Sequence, residues 1–198
     1  MGLLSRLRGS ASSLPSYPPP SEETPSTSEI TVRVVEDTHL FAADDGSTLW
    51  CGGYAPVDED GFFLTIAEHR TSDPRCLYCN VAGTSYRQAA LQDARFKPGA
   101  QLILRPEPTN AHDPNAISVW DSSETVHVGY VPAALSPQIA AQFRSGNPLG
   151  GLIISEYRRD SEDGPRVGLH MLLAPLGALL LSIHSDDEDN EDEKSGKG

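Results

Sequence analysis

The run Arg105-Pro-Glu-Pro-Thr-Asn-Ala-His-Asp-Pro-Asn-Ala-Ile117 places Asn110, His112, Asp113 and Asn115 within a few positions of one another. Short polar side chains hold tight loops by bonding the backbone beside them, and proline fixes φ. So dense a run is more than a connector needs, and it reads as a binding loop in which Asn115 caps the turn. His112 can stack on a flat ring and, when protonated, donate to an anion. Tyr86, directly after Gly83-Thr84-Ser85, offers a π-face to an unpaired base or else packs its ring into a core. Cys76-Leu-Tyr-Cys79 has the spacing of metal ligands, and Cys51 with His69 would complete a tetrahedron. With no second paired motif, the expectation is that no metal and no other cofactor is held.

These residues need elements to position them. Ile30 to Val35 alternates as a short strand, and Phe62-Phe63-Leu64-Thr65-Ile66 reads as a second, with Trp50 and Tyr54 between them as candidate core aromatics. Leu77 to Ala82 suits a strand, and Arg87 to Ala94 suits a short helix of good helix formers. Lys97-Pro-Gly99 turns into a strand over Ala100 to Leu104. After the polar loop come strands at Ala116–Trp120 and Thr125–Val131, joined through Asp121-Ser-Ser-Glu124. Ser136-Pro137 fits an N-cap and first turn for a helix through Phe143. Leu152–Tyr157 and Arg166–Leu173 then form a closing hairpin. The expected fold is mainly β: a small, partly open barrel of OB or SH3 type, with about six strands and two short helices.

Taken together, the polar loop, the segment Val81-Ala82-Gly83-Thr84-Ser85-Tyr86 and the segment Val128-Gly129-Tyr130-Val131-Pro132 resemble the HIRAN domain, of the stand-alone bacterial type. That domain is a small β-barrel module, often fused to helicases or nucleases, which in helicase-like transcription factors captures the 3′ end of single-stranded DNA. The resemblance covers roughly Cys76 to Pro175. It implies that Tyr86 stacks on a terminal base, that Tyr130 lines the same pocket, that Asp113 accepts a hydrogen bond from the free 3′-hydroxyl and that Asn110 bonds the terminal nucleotide. A carboxylate is acceptor-only, so it favours a terminal hydroxyl over a terminal phosphate. The chain departs from the family where His112 replaces a tyrosine, where Ser85 replaces the arginine of 3′-end binders, and at Ala133-Ala134, where a basic residue is common. Arg87, Arg105 and Lys97 are the cations left to substitute, and Arg87 is the one assigned to the nucleic-acid site.

The net charge of −13 is unevenly spread. Residues 1–28, rich in Ser, Pro, Thr and Glu, sum to 0, and residues 29–75 sum to −7. Residues 76–175 sum to −1 and residues 176–198 to −5. Four regions follow: a disordered leader (1–28), a β extension (29–75), the HIRAN-like domain (76–175) and an acidic disordered tail (176–198). A near-neutral barrel argues against long non-specific duplex binding, which depends on phosphate neutralisation. The three cysteines make no disulfide framework, no secretory signal opens the chain, and the apolar stretch from Met171 to Ile183 is short of the roughly 20 residues that span a bilayer. A cytoplasmic protein that does not engage membranes is expected.

Phosphate-cradling GxxxxGK[ST] and metalloprotease HExxH motifs are missing, and so is the motor or nuclease to which such modules are fused. The leading expectation is therefore a non-enzymatic module for single-stranded DNA 3′ ends, in repair or fork processing, with a helicase or nuclease as partner. The alternative is a protein-interaction module on a barrel that has lost DNA affinity. A hydrolase built on the cysteine cluster is the third reading, and it would require bound zinc.

Overall fold

The computed structural model describes residues 32–36, 40–42, 48–64, 66–67, 70–71 and 75–182. The expected leader, His69, the side chains of Trp50 and Cys51, and the acidic run from Asp186 lie outside the described residues. In chain order the strands are β1 (Val32–Glu36), β2 (Leu40–Ala42), β3 (Thr48–Gly52), β4 (Tyr54–Val57), β5 (Ile66–Ala67), β6 (Arg70–Thr71) and β7 (Leu77–Asn80). Then follow helix α1 (Gln88–Leu91), strands β8 (Gln101–Pro106), β9 (Ile117–Asp121) and β10 (His127–Tyr130), and helix α2 (Ser136–Arg144). Strands β11 (Leu149–Arg159), β12 (Arg166–Pro175) and β13 (Leu179–Ser182) complete the described residues.

The chain is mainly β, as the alternation implied. Its centre is an antiparallel sheet in the order β10-β9-β8-β11-β12-β7, continued by β6 and β5. This six-stranded part curls until the chain just past β7 reaches β10. There Ala82 and Tyr130 exchange two backbone hydrogen bonds, of 2.8 and 2.9 Å. Among the described residues, the barrel is closed by that bridge.

Strands β11 and β12 are buried on both faces. Ile153, Leu169, Met171 and Leu173 point into the barrel with Leu102, Leu104, Ile117, Val119 and Val128. Leu152, Ile154, Leu172 and Ala174 point outward against Val32 and Val34 of a second sheet, β13-β1-β4. That double burial explains why Leu172-Leu-Ala174 reads as a continuous apolar run rather than a clean alternation. Leu91 of α1, Phe96 of the 3-10 turn that follows it, and Ile139 and Ala140 of α2 add to the same core.

Four local expectations are corrected. Residues 62–64 form no strand: only Phe63 bridges, to Val57, in a hairpin arm with Phe62 and Phe63 exposed. The expected helix 87–94 stops at Leu91, because Asp93 is extended (φ −64°, ψ 135°) and its carboxylate caps a separate 3-10 turn, accepting from the Arg95 N–H at 3.0 Å. Ser136 does not cap α2; the boundary residue is Leu135, and the Ser136 hydroxyl donates back to the Pro132 carbonyl at 3.2 Å. The chain also does not leave the fold at 175. It turns at Gly177 (φ +82°), where glycine adopts positive φ without steric cost, and β13 pairs parallel with β1 in the register Val32 to Leu179. Among the described residues no helix is long and apolar enough to cross a membrane.

Candidate functional site

The polar loop between β8 and β9 is held by its own side chains. Asn110 Oδ1 accepts from the N–H groups of His112 (2.9 Å) and Asp113 (3.3 Å), and Asp113 Oδ1 accepts from the Asn115 N–H at 2.8 Å. The caps are therefore Asn110 and Asp113. Asn115, expected in that role, instead receives a 3.5 Å contact on its Oδ1 from Arg144 of α2. Asp113 keeps its second carboxylate oxygen without a hydrogen bond among the described residues.

Beside the loop lies a cleft of about 330 Å³, walled by Asn110, His112, Asp113, Gly83, Tyr130 and Ala133. It exists because the Ala82–Tyr130 bridge draws the turn after β7 against β10. Gly129 permits that approach, since a Cβ there would sit 2.4 Å from the Ala82 carbonyl oxygen. No lysine or arginine lines the cleft among the described residues, and Ala133 stands in its wall.

Glu107 joins the two sides. Its Oε2 accepts from Asn110 Nδ2 at 2.9 Å and, at the 3.5 Å limit, from the Tyr130 hydroxyl. Burial alone would raise its carboxyl pKa. Hydrogen bonds from Asn110, Ser118 and the Tyr130 hydroxyl outweigh it and hold the value below the ordinary range. Sequence reading passed over Glu107 because, between two prolines, nothing local marks it as a tie between loop and strand.

Tyr86 is 92 % exposed. It ends a 3-10 turn, Thr84–Tyr86, entered through Gly83 at φ +74°, and that turn buries Thr84 while carrying Tyr86 outward. A ring packed into the barrel is therefore excluded. Arg87, the next residue, places its guanidinium 5.7 Å from the Tyr130 ring centroid, within cation–π range. Tyr130 is further fixed edge-on against His127 (4.8 Å), which stacks on Trp120 (4.9 Å, 15° between planes). Burial, and secondarily the Arg87 charge, hold the His127 pKa below its ordinary value, although its bond to the Gly129 carbonyl opposes this. A neutral His127 then donates Nε2–H to that carbonyl at 2.7 Å.

The other cations considered as substitutes face elsewhere. Arg105 pairs with Glu124 at 2.7 Å and covers Trp120 at 5.2 Å, and exposed Lys97 sits in the turn before β8. Asn110, His112, Asp113 and Tyr130 are thus gathered around one cleft and Arg87 lies against the Tyr130 ring, while Tyr86, bonded through its N–H to the Gly83 carbonyl (3.1 Å), is not part of the cleft's wall.

Among the described residues, Cys76 and Cys79 do not share a site. Cys79 lies in the barrel core and Cys76 in the outer core, on opposite sides of the sheet. Burial pushes the Cys79 thiol up to about 12, the reverse of what a thiolate ligand requires. Among the described residues no three His, Cys, Asp or Glu side chains gather to hold a metal ion.

Residues 74–159 match the HIRAN domain family. Two solved structures are similar to this chain. One is the crystal structure of the HIRAN domain of human HLTF, 20 % identical, with a TM-score of 0.37, covering 50 % of this chain and 75 % of that one. The other is a protein from Lactobacillus plantarum, 23 % identical, with a TM-score of 0.38, covering 50 % of this chain and 91 % of that one. No curated protein sequence matches the chain.

Proposed function

We propose that this chain, which carries a HIRAN domain at residues 74–159, binds nucleic acid through the cleft beside Tyr86 and that its ligand is the free 3′ end of single-stranded DNA. Membership of a family of binding domains supports the nucleic-acid role. The observation that carries the finer reading is the pairing of an almost fully exposed Tyr86 with a cleft edged by a carboxylate oxygen left unbonded on Asp113. Tyr86 stacks on an unpaired base, an interaction worth about 1–3 kcal/mol that tolerates any sequence. Asp113 accepts from the 3′-hydroxyl and repels a 3′-phosphate, which selects ends without reading sequence. Asn110 and Tyr130 shape the cleft, His112 offers a second flat ring at its rim, and Arg87 supplies the nearest cation for backbone phosphate. The role is recognition at repair or replication intermediates in the cytoplasm, with any strand processing left to a helicase or nuclease partner.

The test is fluorescence anisotropy on a short labelled strand ending in a 3′-hydroxyl or a 3′-phosphate. Tyr86→Ala should weaken binding by roughly 5- to 150-fold. Asp113→Asn keeps the Oδ1 acceptor that holds the loop and should erase the preference for hydroxyl over phosphate. Binding equal for both ends in the unmodified chain would overturn end capture. The neutral wall at Ala133 and the serine at 85 favour a second reading, a barrel that binds a protein partner; absence of any strand binding at low salt would support it.

A further inference from the structure

A row of flat rings leads from the cleft across the outside of the barrel. Val119 and Val128 are buried in the core, so Trp120 and His127, their neighbours on β9 and β10, lie on the opposite face. The two pair directly across the strands and stack. His127 then meets the ring of Tyr130, a wall of the cleft, edge-on. Its Nε2–H donates to the Gly129 carbonyl and pins the imidazole in place. Neutral or protonated, the ring keeps that bond, because Nε2–H is a donor in both forms. Nδ1 makes no hydrogen bond among the described residues, and the side chain is only partly buried. A proton can therefore come and go at Nδ1 while the ring stays where it is.

The charges around this ring oppose one another. The Arg87 guanidinium lies over Tyr130, and the Glu107 carboxylate reaches the Tyr130 hydroxyl. Arg105, over Trp120, is already paired with Glu124. The cleft's own loop adds two further ionisable groups, His112 and Asp113. In the free chain, burial and then the Arg87 charge keep His127 neutral at neutral pH, against its bond to Gly129 and the pull of Glu107. A strand phosphate paired with Arg87 cancels that repulsion and leaves the Glu107 charge to act on His127. A proton taken up there offsets Glu107, a carboxylate that otherwise opposes a polyanion beside the cleft.

We propose that strand binding and protonation of His127 are coupled: the site takes up a proton on Nδ1 as a phosphate engages Arg87, and it holds single-stranded ends more tightly in mildly acidic solution. Coupling is reciprocal, so the strand favours the proton by the factor with which the proton favours the strand. His127 is here a positioning residue, acting through Tyr130, Arg87 and Glu107. The proposal rests on the nucleic-acid reading above and adds its regulation by pH.

The experiment is fluorescence anisotropy of the full chain with a labelled oligothymidylate ending in a 3′-hydroxyl, from about pH 8 down to about pH 5.5, where an imidazole titrates. Thymine and phosphodiester groups do not titrate there. Affinity should rise about fivefold or more, and calorimetry in two buffers of different ionisation enthalpy should show proton uptake on binding. His127→Gln, which keeps an amide donor for the Gly129 carbonyl, should flatten the rise and abolish the uptake. His112→Gln should leave both in place, whatever it does to affinity. Should His127→Gln fail to fold, uptake by the His112→Gln chain decides, since His127 is then the imidazole nearest the cleft among the described residues. Binding that is indifferent to pH, or a rise that survives His127→Gln undiminished, would overturn this inference and leave the 3′-end reading standing. No strand binding at any pH would overturn both.

Discussion

Asp121 shows how one side chain fixes a functional strand. It is buried, and its oxygens accept from Ser123, from the backbone N–H groups of Thr125 (2.7 Å) and Val126 (2.6 Å), and from the Thr125 hydroxyl. Burial opposes its ionisation, but these bonds prevail and hold its pKa well below the carboxylate range. A depressed folded-state value contributes stability that is full above the unfolded value near about 4 and lost as pH falls from there. Urea denaturation should therefore show a midpoint that drops below about pH 4, and Asp121→Asn should flatten that drop. At neutral pH the same change should cost about 1–3 kcal/mol, because it replaces an acceptor with a donor facing Ser123. The chemistry of Asn110, Asp113 and Tyr86 was legible because side-chain type and neighbours carry it. The direction in which Tyr86 faces was not, since a turn entered through a positive-φ glycine serves a buried or an exposed ring equally well.

The elements are joined by contacts that no local pattern announces. Buried Arg166 donates from Nη1 to the carbonyls of Leu91 (2.6 Å) and Asp93 (3.2 Å), which lie at the C-terminal end of α1, and from Nε to Glu156 at 2.5 Å. The Gln92 amide adds two bonds to the Arg166 backbone, of 2.6 and 2.9 Å. This latch fastens the short helix that follows Tyr86 to the β11–β12 hairpin, and it satisfies helix-end carbonyls that would otherwise lack partners. Arg166→Met should cost roughly 1–3 kcal/mol in chemical denaturation, because the buried Leu91 carbonyl loses its donor and Glu156 keeps only its pair with Arg158. Adding Glu156→Gln should recover part of that loss, and full additivity of the two changes would refute the coupling. Strand positions were readable from alternation in the barrel. The arm at 62–64 was misread because Phe62 and Phe63 face water rather than a core. Helix limits at 91 and 136 depended on caps that compete over one or two residues.

At the scale of the molecule, charge is separated from the barrel. Residues 76–175 sum to −1 while the acidic run begins at Asp186, beyond the last strand, which ends at Ser182. With Arg87 the nearest cation to the cleft, the log–log salt dependence of single-strand binding should be shallow, with a slope near −1 if one phosphate is neutralised (about −0.7 per contact). A slope of about −4 or steeper would mean a phosphate track elsewhere on the surface. Deleting residues 186–198 should tighten binding several-fold at low salt by removing like-charge repulsion. It should leave the thermal midpoint in place, because β13 remains paired to β1; a fall in that midpoint would give the tail a structural role.

By itself the sequence determined the β-rich class, the near-neutral barrel and the polar loop, because alternation, charge sums and the bonding of Asn or Asp to adjacent backbone are short-range properties. Only the tertiary structure decided that Glu107 ties Asn110 to Tyr130, that Cys76 and Cys79 face different cores, and that β1 and β13 add a second layer. Those outcomes follow from sheet closure at the Ala82–Tyr130 bridge and from burial of β11 and β12 on both faces. Closure and double burial bring together residues far apart in the chain, and pairing over that range is set by the sum of packing across the whole sheet, not by any window of sequence.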